Sequence, residues 1–234
     1  MSWVLANLPT IAGHLLAHLF QAVPAIVASF VLAIPIARLA RVARPLRALL
    51  VTGSSLLYAV PSLALFVILP IILATGIRDP LNVIVALTLY GLALLVPATA
   101  DALDAVDARV LDAATAMGMG RLRCFLTVEL PLAGPAILTG LRVVTVSTIS
   151  LTTVGAVLGV RSLGWLFADG FQRGITAEIV TGLVATAALA LVLDGLVLAL
   201  GRLCLPWTWK RAGDAGAVPA GACAAASNSR EGKA

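Results

Sequence analysis

The chain is poor in the residues that catalytic and metal sites need. Its 234 residues include two histidines, three cysteines and two lysines. His14 and His18 stand one helical turn apart with no third ligand nearby, so we expect no metal site. Neither Lys210 nor Lys233 is followed by Ser or Thr, so the chain lacks a phosphate-binding loop. We therefore expect a protein that is not an enzyme and holds no cofactor of its own.

Charge is also scarce, which excludes a soluble globular protein. Charged residues make up 12% of the chain, hydrophobic residues 61%, and the mean hydropathy is +1.06. One core cannot hide that much apolar surface, so membrane lipid must be its solvent. The net charge of +5 does not indicate nucleic acid, because the basic residues flank apolar runs, where they indicate membrane topology.

Five apolar runs are long enough to cross a bilayer. The sequence predicts an all-α integral membrane protein with spans at about 14–37, 49–73, 81–100, 136–158 and 179–201. We expect residues 1–211 to form this transmembrane domain. The remainder, 212–234, is rich in Ala, Gly and Ser, and we expect it to be a disordered tail.

The distribution of Lys and Arg predicts the orientation of these spans. Twelve of the 16 fall in segments 38–47 and 101–134 and at the C-terminal end. Three (Arg78, Arg161 and Arg173) fall in the other connections, and Arg142 lies within a span. The positive-inside rule then places the N-terminus outside and the C-terminus in the cytoplasm. We expect a basic loop at 38–47 and, after the third span, a helix with Asp101, Asp104 and Asp107 along one side.

Polar residues inside the spans are candidates for function. A proline at mid-depth frees a backbone carbonyl, and a hydroxyl face suits either a helix–helix seam or a wet pathway. Isolated charges at mid-bilayer are costly and usually find partners. The candidates for a pathway are Pro61, Ser62, Phe66, Thr145, Thr148 and Thr152, and those for an intramembrane ion pair are Arg142 and Asp194.

A polar stretch at 112–135 interrupts the apolar runs on the predicted cytoplasmic side. Alanines near its start favour a thin helix, and Gly118 can end that helix and turn the chain. Leucine and phenylalanine then recur at helical spacing, which predicts a second short amphipathic helix before the fourth span. Pro131 and Pro135 suit the start of a new helix. The stretch is predicted to form a helix–turn–helix.

This stretch resembles the EAA loop of ABC importer permeases. The loop's pattern is an acidic residue and two alanines, a glycine four residues on, and an aliphatic-x-Leu-Pro sequence after nine more. Here Asp112 stands where the family usually has Glu, and the remaining members fit: Ala113, Ala114, Gly118, Val128, Leu130 and Pro131. The resemblance implies that this loop docks a cytoplasmic ATP-binding subunit.

Segments outside the loop resemble one branch of that family. Residues 61–66, 86–90, 117–119 and 128–132 are similar to permeases for osmoprotectants such as glycine betaine, choline and carnitine. The resemblance implies a multi-pass location in a bacterial inner membrane, a pore of two permease subunits, identical or homologous, and an extracytoplasmic substrate-binding protein. ATP would be bound by the cytoplasmic partner.

Other functions stay open at this point. The chain could be an ABC importer permease for another small solute, such as an amino acid. It could also be an ion-coupled secondary transporter, although five unequal spans show no inverted repeat. A membrane scaffold without a transport role is the third alternative. Among these classes, only an ABC importer permease should show uptake that depends on a separate ATPase.

Overall fold

The structure, a computed structural model, describes residues 2–42 and 44–206, and every regular element among them is helical. The predicted all-α fold is confirmed. The predicted tail at 212–234 lies outside the described residues. The helices are α1 (Ser2–Ala6), α2 (Leu8–Val42), α3 (Arg44–Ala59), α4 (Ser62–Leu73), α5 (Pro80–Asp104), α6 (Ala108–Ala116), α7 (Arg121–Cys124), α8 (Leu130–Val154), α9 (Gly164–Arg173) and α10 (Thr176–Cys204).

Four continuous helical stretches are long and apolar enough to cross a membrane: Leu8–Val42, Pro80–Asp104, Arg121–Leu158 and Thr176–Cys204. The second predicted span differs, because Arg47–Ala59 and Ser62–Leu73 meet at 108°. Pro61 lies at this break with φ −57° and ψ 126°, outside the helical region. The ring removes a backbone donor and disfavours helix at the preceding residue. The proline of the second predicted span therefore lies at a sharp bend, and counting the bent pair as one span gives five.

The expected basic loop at 38–47 is wrong for most of its length. Helix α2 continues to Val42 and α3 begins at Arg44. Arginine is a good helix former, so a run of arginines need not interrupt a helix. With 35 residues at a rise of 1.5 Å each, α2 is about 52 Å long and exceeds a hydrocarbon core of about 30 Å. Arg38 and Arg41 therefore lie on its extended end.

Helix α5 is the centre of the subunit, packed against α2, α3, α4 and α8. Helix α2 approaches it closely through small residues, and five of its alanines are fully buried: Ala22, Ala25, Ala33, Ala37 and Ala40. At the contact, a Cβ added to Gly91 of α5 would lie 2.1 Å from Ser29 Oγ of α2. Small residues let helix backbones approach in a membrane protein, where the lipid gives no hydrophobic drive for association.

Candidate coupling loop and membrane-embedded sites

The polar stretch begins with a capped helix. Asp107 precedes α6, and its Oδ1 accepts a hydrogen bond of 2.9 Å from the Arg109 amide. The Arg109 guanidinium also bonds the carboxylate, and these hydrogen bonds lower the pKa of Asp107. The expected helix carrying all three aspartates is wrong, because α5 ends at Asp104 and Asp107 caps a new helix. An Asp at this position satisfies free amides at the helix start.

Gly118 ends α6 as predicted, and the turn is a Schellman motif. Gly118 has φ +81°. Its amide donates to Thr115 O at 2.9 Å and the Met119 amide donates to Ala114 O at 3.2 Å, which satisfies carbonyls at the helix end. Ala114 is 2% exposed, whereas Ala113 and Gly118 are exposed. Ala113 and the turn are thus exposed on the surface of the subunit.

After the turn the chain forms one continuous helix, not the predicted separate short helix. Helix α7 runs into a π-helical segment, Phe125–Glu129, and then directly into α8. The Leu130 amide bonds Phe125 O, five residues back. Pro131 has no amide and its ring crowds the carbonyl four residues back, so the wider π turn lets the helix pass through. Leu130 and Pro131 are half-buried at this junction.

The predicted pathway residues of the second span lie at its bend. Pro61 is exposed and Ser62 half-buried, while Phe66 is 1% exposed and packs against α5 in the core. The Tyr90 hydroxyl of α5 donates to Val60 O at 2.5 Å, which satisfies a carbonyl at the break. Phe66 is therefore a packing residue, and Pro61 and Ser62 are the two candidates at an accessible bend.

The threonine face of α8 is buried inside the subunit. Thr145, Thr148 and Thr152 are 1%, 2% and 0% exposed. Thr145 and Thr152 donate their hydroxyl hydrogens to the carbonyls of Leu141 and Thr148, at 2.8 and 2.7 Å. Back-bonded threonines need no water, so the structure favours the helix–helix seam over the wet pathway.

Arg142 and Asp194 lie together between α8 and α10. Arg142 Nε is 2.8 Å from Asp194 Oδ1, and Nη2 is 2.7 Å from Oδ2. Two parallel bonds of this kind form the bidentate geometry in which Arg–carboxylate pairs are strongest. Arg142 lies twelve residues after the start of α8 and Asp194 ten residues before the end of α10, so both lie about 15–18 Å from those helix ends.

Apart from Arg142–Asp194, sequence reasoning missed the contacts between residues far apart along the chain. Arg41 contacts Asp104 and Glu129, and His14 stacks on Trp165 with ring centroids 4.9 Å apart. No local spacing connects these partners. The pair Asp169–Arg173 could have been found, since its four-residue separation is typical of helical ion pairs. Among the described residues, no group of three His, Cys, Asp or Glu could hold a metal ion.

The sequence profile of one transport family matches residues 25–209 of this chain. Its description is "Binding-protein-dependent transport system inner membrane component". The chain belongs to this family. The match covers most of the chain and confirms the predicted ABC importer permease. The protein is therefore the permease subunit of such a transporter.

Curated permeases and solved transporter structures are similar to the chain. It is 31% identical over 171 residues to the choline transport system permease protein OpuBD of Bacillus subtilis (strain 168), covering 73% of this chain and 74% of that protein. It is 33% identical over 151 residues to the ergothioneine transport permease/ergothioneine binding protein EgtU of Helicobacter pylori (strain G27), covering 64% of this chain. The matched region is 27% of that longer protein.

The solved structure has the same fold. It is an inward-facing form of the MetNI methionine ABC transporter, with a TM-score of 0.73. The alignment covers 83% of this chain and 95% of that one, at 20% sequence identity. At this identity the likeness concerns the fold, which is that of an importer permease.

Proposed function

We propose that this permease moves a small quaternary-ammonium solute, such as choline or glycine betaine, into the cell. The support is chemical and comes from the relatives' names. Choline and ergothioneine both carry a trimethylammonium group, although they differ in the rest of the molecule. A solute class defined by that cationic group accounts for both similarities.

We propose that the energy comes from a separate cytoplasmic subunit that binds and hydrolyses ATP. The single observation that supports this most is the exposed helix–turn–helix of α6 and α7, with Ala113 and Gly118 on its outer side. Small residues allow a partner's surface to approach the backbone. The other partners are a second permease subunit, identical or homologous, and an extracytoplasmic binding protein.

The orientation is proposed to be N-terminus outside and C-terminus in the cytoplasm. The spatial grouping of the arginines supports it. Arg41 and Arg47 form ion pairs with Asp104. Asp104 directly precedes residues 105–129, which we call the coupling loop. Arg78 and Arg161, predicted outside, line one cavity of about 770 Å³ together. Gln21 of α2 donates a hydrogen bond to Arg161 O, whereas Arg41 lies in the last turn of the same helix, so the two groups lie at different levels along α2.

Substituting Gly118 tests the docking role. Gly118→Trp, at an exposed turn with φ +81° and no atom within 4 Å of an added Cβ, should abolish association with the ATPase and uptake while the protein still inserts. Gly174→Trp is the matched control, because Gly174 has φ +69° and equally open surroundings but follows α9. Both carry the same backbone strain of about 1–2 kcal/mol. Equal co-purification of the ATPase with both variants would contradict docking at Gly118.

Reconstitution tests the substrate. Proteoliposomes holding the permease, its ATPase and its binding protein should take up labelled choline or glycine betaine only with ATP inside. Unlabelled trimethylammonium solutes should compete, and amino acids without that group should not. Competition by amino acids alone would favour the alternative of another small solute. Uptake driven by an ion gradient without ATP would contradict the ABC importer itself.

A further inference from the structure

One arginine of α2 forms ion pairs at both ends of the coupling loop. Arg41 Nε lies 3.4 Å from Oδ1 of Asp104, the last residue of α5. Its Nη1 pairs with Oε1 of Glu129, the last residue of the π-helical segment. The Glu129 side chain is 14% exposed and that of Arg41 is 29% exposed. The planar guanidinium has donors pointing in several directions, so it can hold two carboxylates at once.

Neighbouring contacts hold the same junction. Arg38, one turn before Arg41 on α2, places its Cζ 4.2 Å from the ring centroid of Phe125, the first residue of the π-helical segment. Phe125 is 5% exposed and belongs to an apolar cluster with Ala37 of α2. On the other side, Arg47 of α3 pairs with Asp104. Four elements therefore meet at this junction: α2, α3, α5 and the π-helical segment.

This junction lies on the route from the docking helix to the spans. Helix α6 packs chiefly against α7 and the π-helical segment. The same segment continues without a break into α8. A displacement of α6 therefore reaches α2 through the residues that Arg38 and Arg41 hold. A π-helical turn inside an α-helix is a frequent feature of functional sites.

We propose that Arg41 is a positioning residue that couples movement of the loop to the transmembrane helices, through its paired contacts with Glu129 and Asp104. The inference rests on the proposed docking of an ATPase on this loop. Without Arg41, the loop still binds the ATPase, but the π-helical segment moves independently of α2 and α5. ATP is then hydrolysed without a matching movement of substrate.

The test compares ATP hydrolysed with substrate transported in the reconstituted full complex. Arg41→Gln and Glu129→Gln should each raise the ATP used per choline taken up by about fivefold or more, the lower end of usual coupling between sites. The double variant should resemble Arg41→Gln, because that substitution already removes the contact with Glu129. Arg41→Lys should be intermediate, since an ammonium is a point charge that cannot bridge both carboxylates in the guanidinium's geometry.

Asp101→Asn is the matched control. Asp101 lies on α5 three residues before Asp104, is exposed, and forms neither of the two ion pairs of Arg41. Its neutralisation should leave the ratio unchanged. A purely structural role for Arg41 would lower the yield of complex at an unchanged ratio, and that result would overturn the inference, as would an equal effect of Asp101→Asn. A wild-type complex without ATP-dependent uptake would overturn the proposed function, and the inference with it.

Discussion

Removing the charges of Arg142 and Asp194 one at a time and together measures how much their ion pair between α8 and α10 stabilises the protein. The variants Arg142→Met and Asp194→Asn keep most of the side-chain volume. Each leaves the other charge without its bidentate partner, between two apolar helices long enough to span a membrane. On insertion scales an isolated charge at mid-bilayer costs roughly 2.5–3.5 kcal/mol. Each single variant should therefore lower the free energy of unfolding by about 3 kcal/mol.

The double variant decides whether the two residues act as a pair. Removing both charges leaves neither one unpaired, so its cost should fall short of the sum by about 1–3 kcal/mol. The free energy is measured by reversible unfolding in mixed micelles with a denaturing detergent, and uptake by the reconstituted complex is followed in parallel. Helices α8 and α10 run in opposite directions, which brings these side chains to similar depths. In the double variant we expect uptake to recover together with stability.

The exposed pair Arg109–Asp107 is the control for this cycle. It has the same chemistry, with Nη2 2.8 Å from Oδ2, but its side chains are 89% and 48% exposed. Water solvates both charges there, so Arg109→Met and Asp107→Asn should show a coupling of about 0–1 kcal/mol. Asn also keeps the helix cap. Strict additivity within about 0.5 kcal/mol at Arg142 and Asp194 would refute the argument.

Two further predictions concern packing and accessibility. Gly164→Ala should destabilise the protein by about 3 kcal/mol, at the upper end of overpacking costs, because its Cβ would lie 2.1 Å from Thr153 O, a backbone atom that cannot rotate away. Gly195→Ala in the interior of α10, with nothing within 4 Å of its Cβ, should instead stabilise it by up to about 1 kcal/mol, measured by the same unfolding assay. In a background without the native cysteines, cysteines at 145, 148 and 152 should resist a water-soluble thiol reagent while a cysteine at 61 reacts, since Thr145, Thr148 and Thr152 are buried and Pro61 is exposed. Rapid labelling of the three buried positions in the resting complex would instead indicate that they line the pathway.

Local features of the fold could be predicted from the sequence because their causes are local. The turn at Gly118 needs only a residue that tolerates positive φ after a short helix. The apolar runs identify the spans because the bilayer has a fixed thickness. The pair of Arg142 and Asp194 could be anticipated from the free-energy cost of an isolated charge in the bilayer, since these are two lone charges in neighbouring spans at similar depth.

What could not be predicted depends on how separate segments meet. A hydroxyl face on α8 looks the same in sequence whether it borders water or another helix, and only the packing of α8 shows that Thr148 is buried. The bend at Pro61 required tertiary contacts too, since the Tyr90 hydroxyl that satisfies Val60 O comes from α5. Prolines inside α2, at positions 24 and 35, leave that helix continuous. The surroundings therefore decide which proline bends a span.

The continuity of α8 with the loop gives these separate sites a common element. One helical stretch from Arg121 to Leu158 carries Glu129 at the loop's exit, Arg142 at the contact with α10, and the threonine seam. Arg142 lies thirteen positions after Glu129, which is about 20 Å along a helix. A packed helix transmits displacement over that distance, since protein interiors are close-packed and deform little. A loop joined to its spans through flexible linkers could not do so, and the unbroken passage through Pro131 is what makes the coupling loop an extension of the transmembrane bundle.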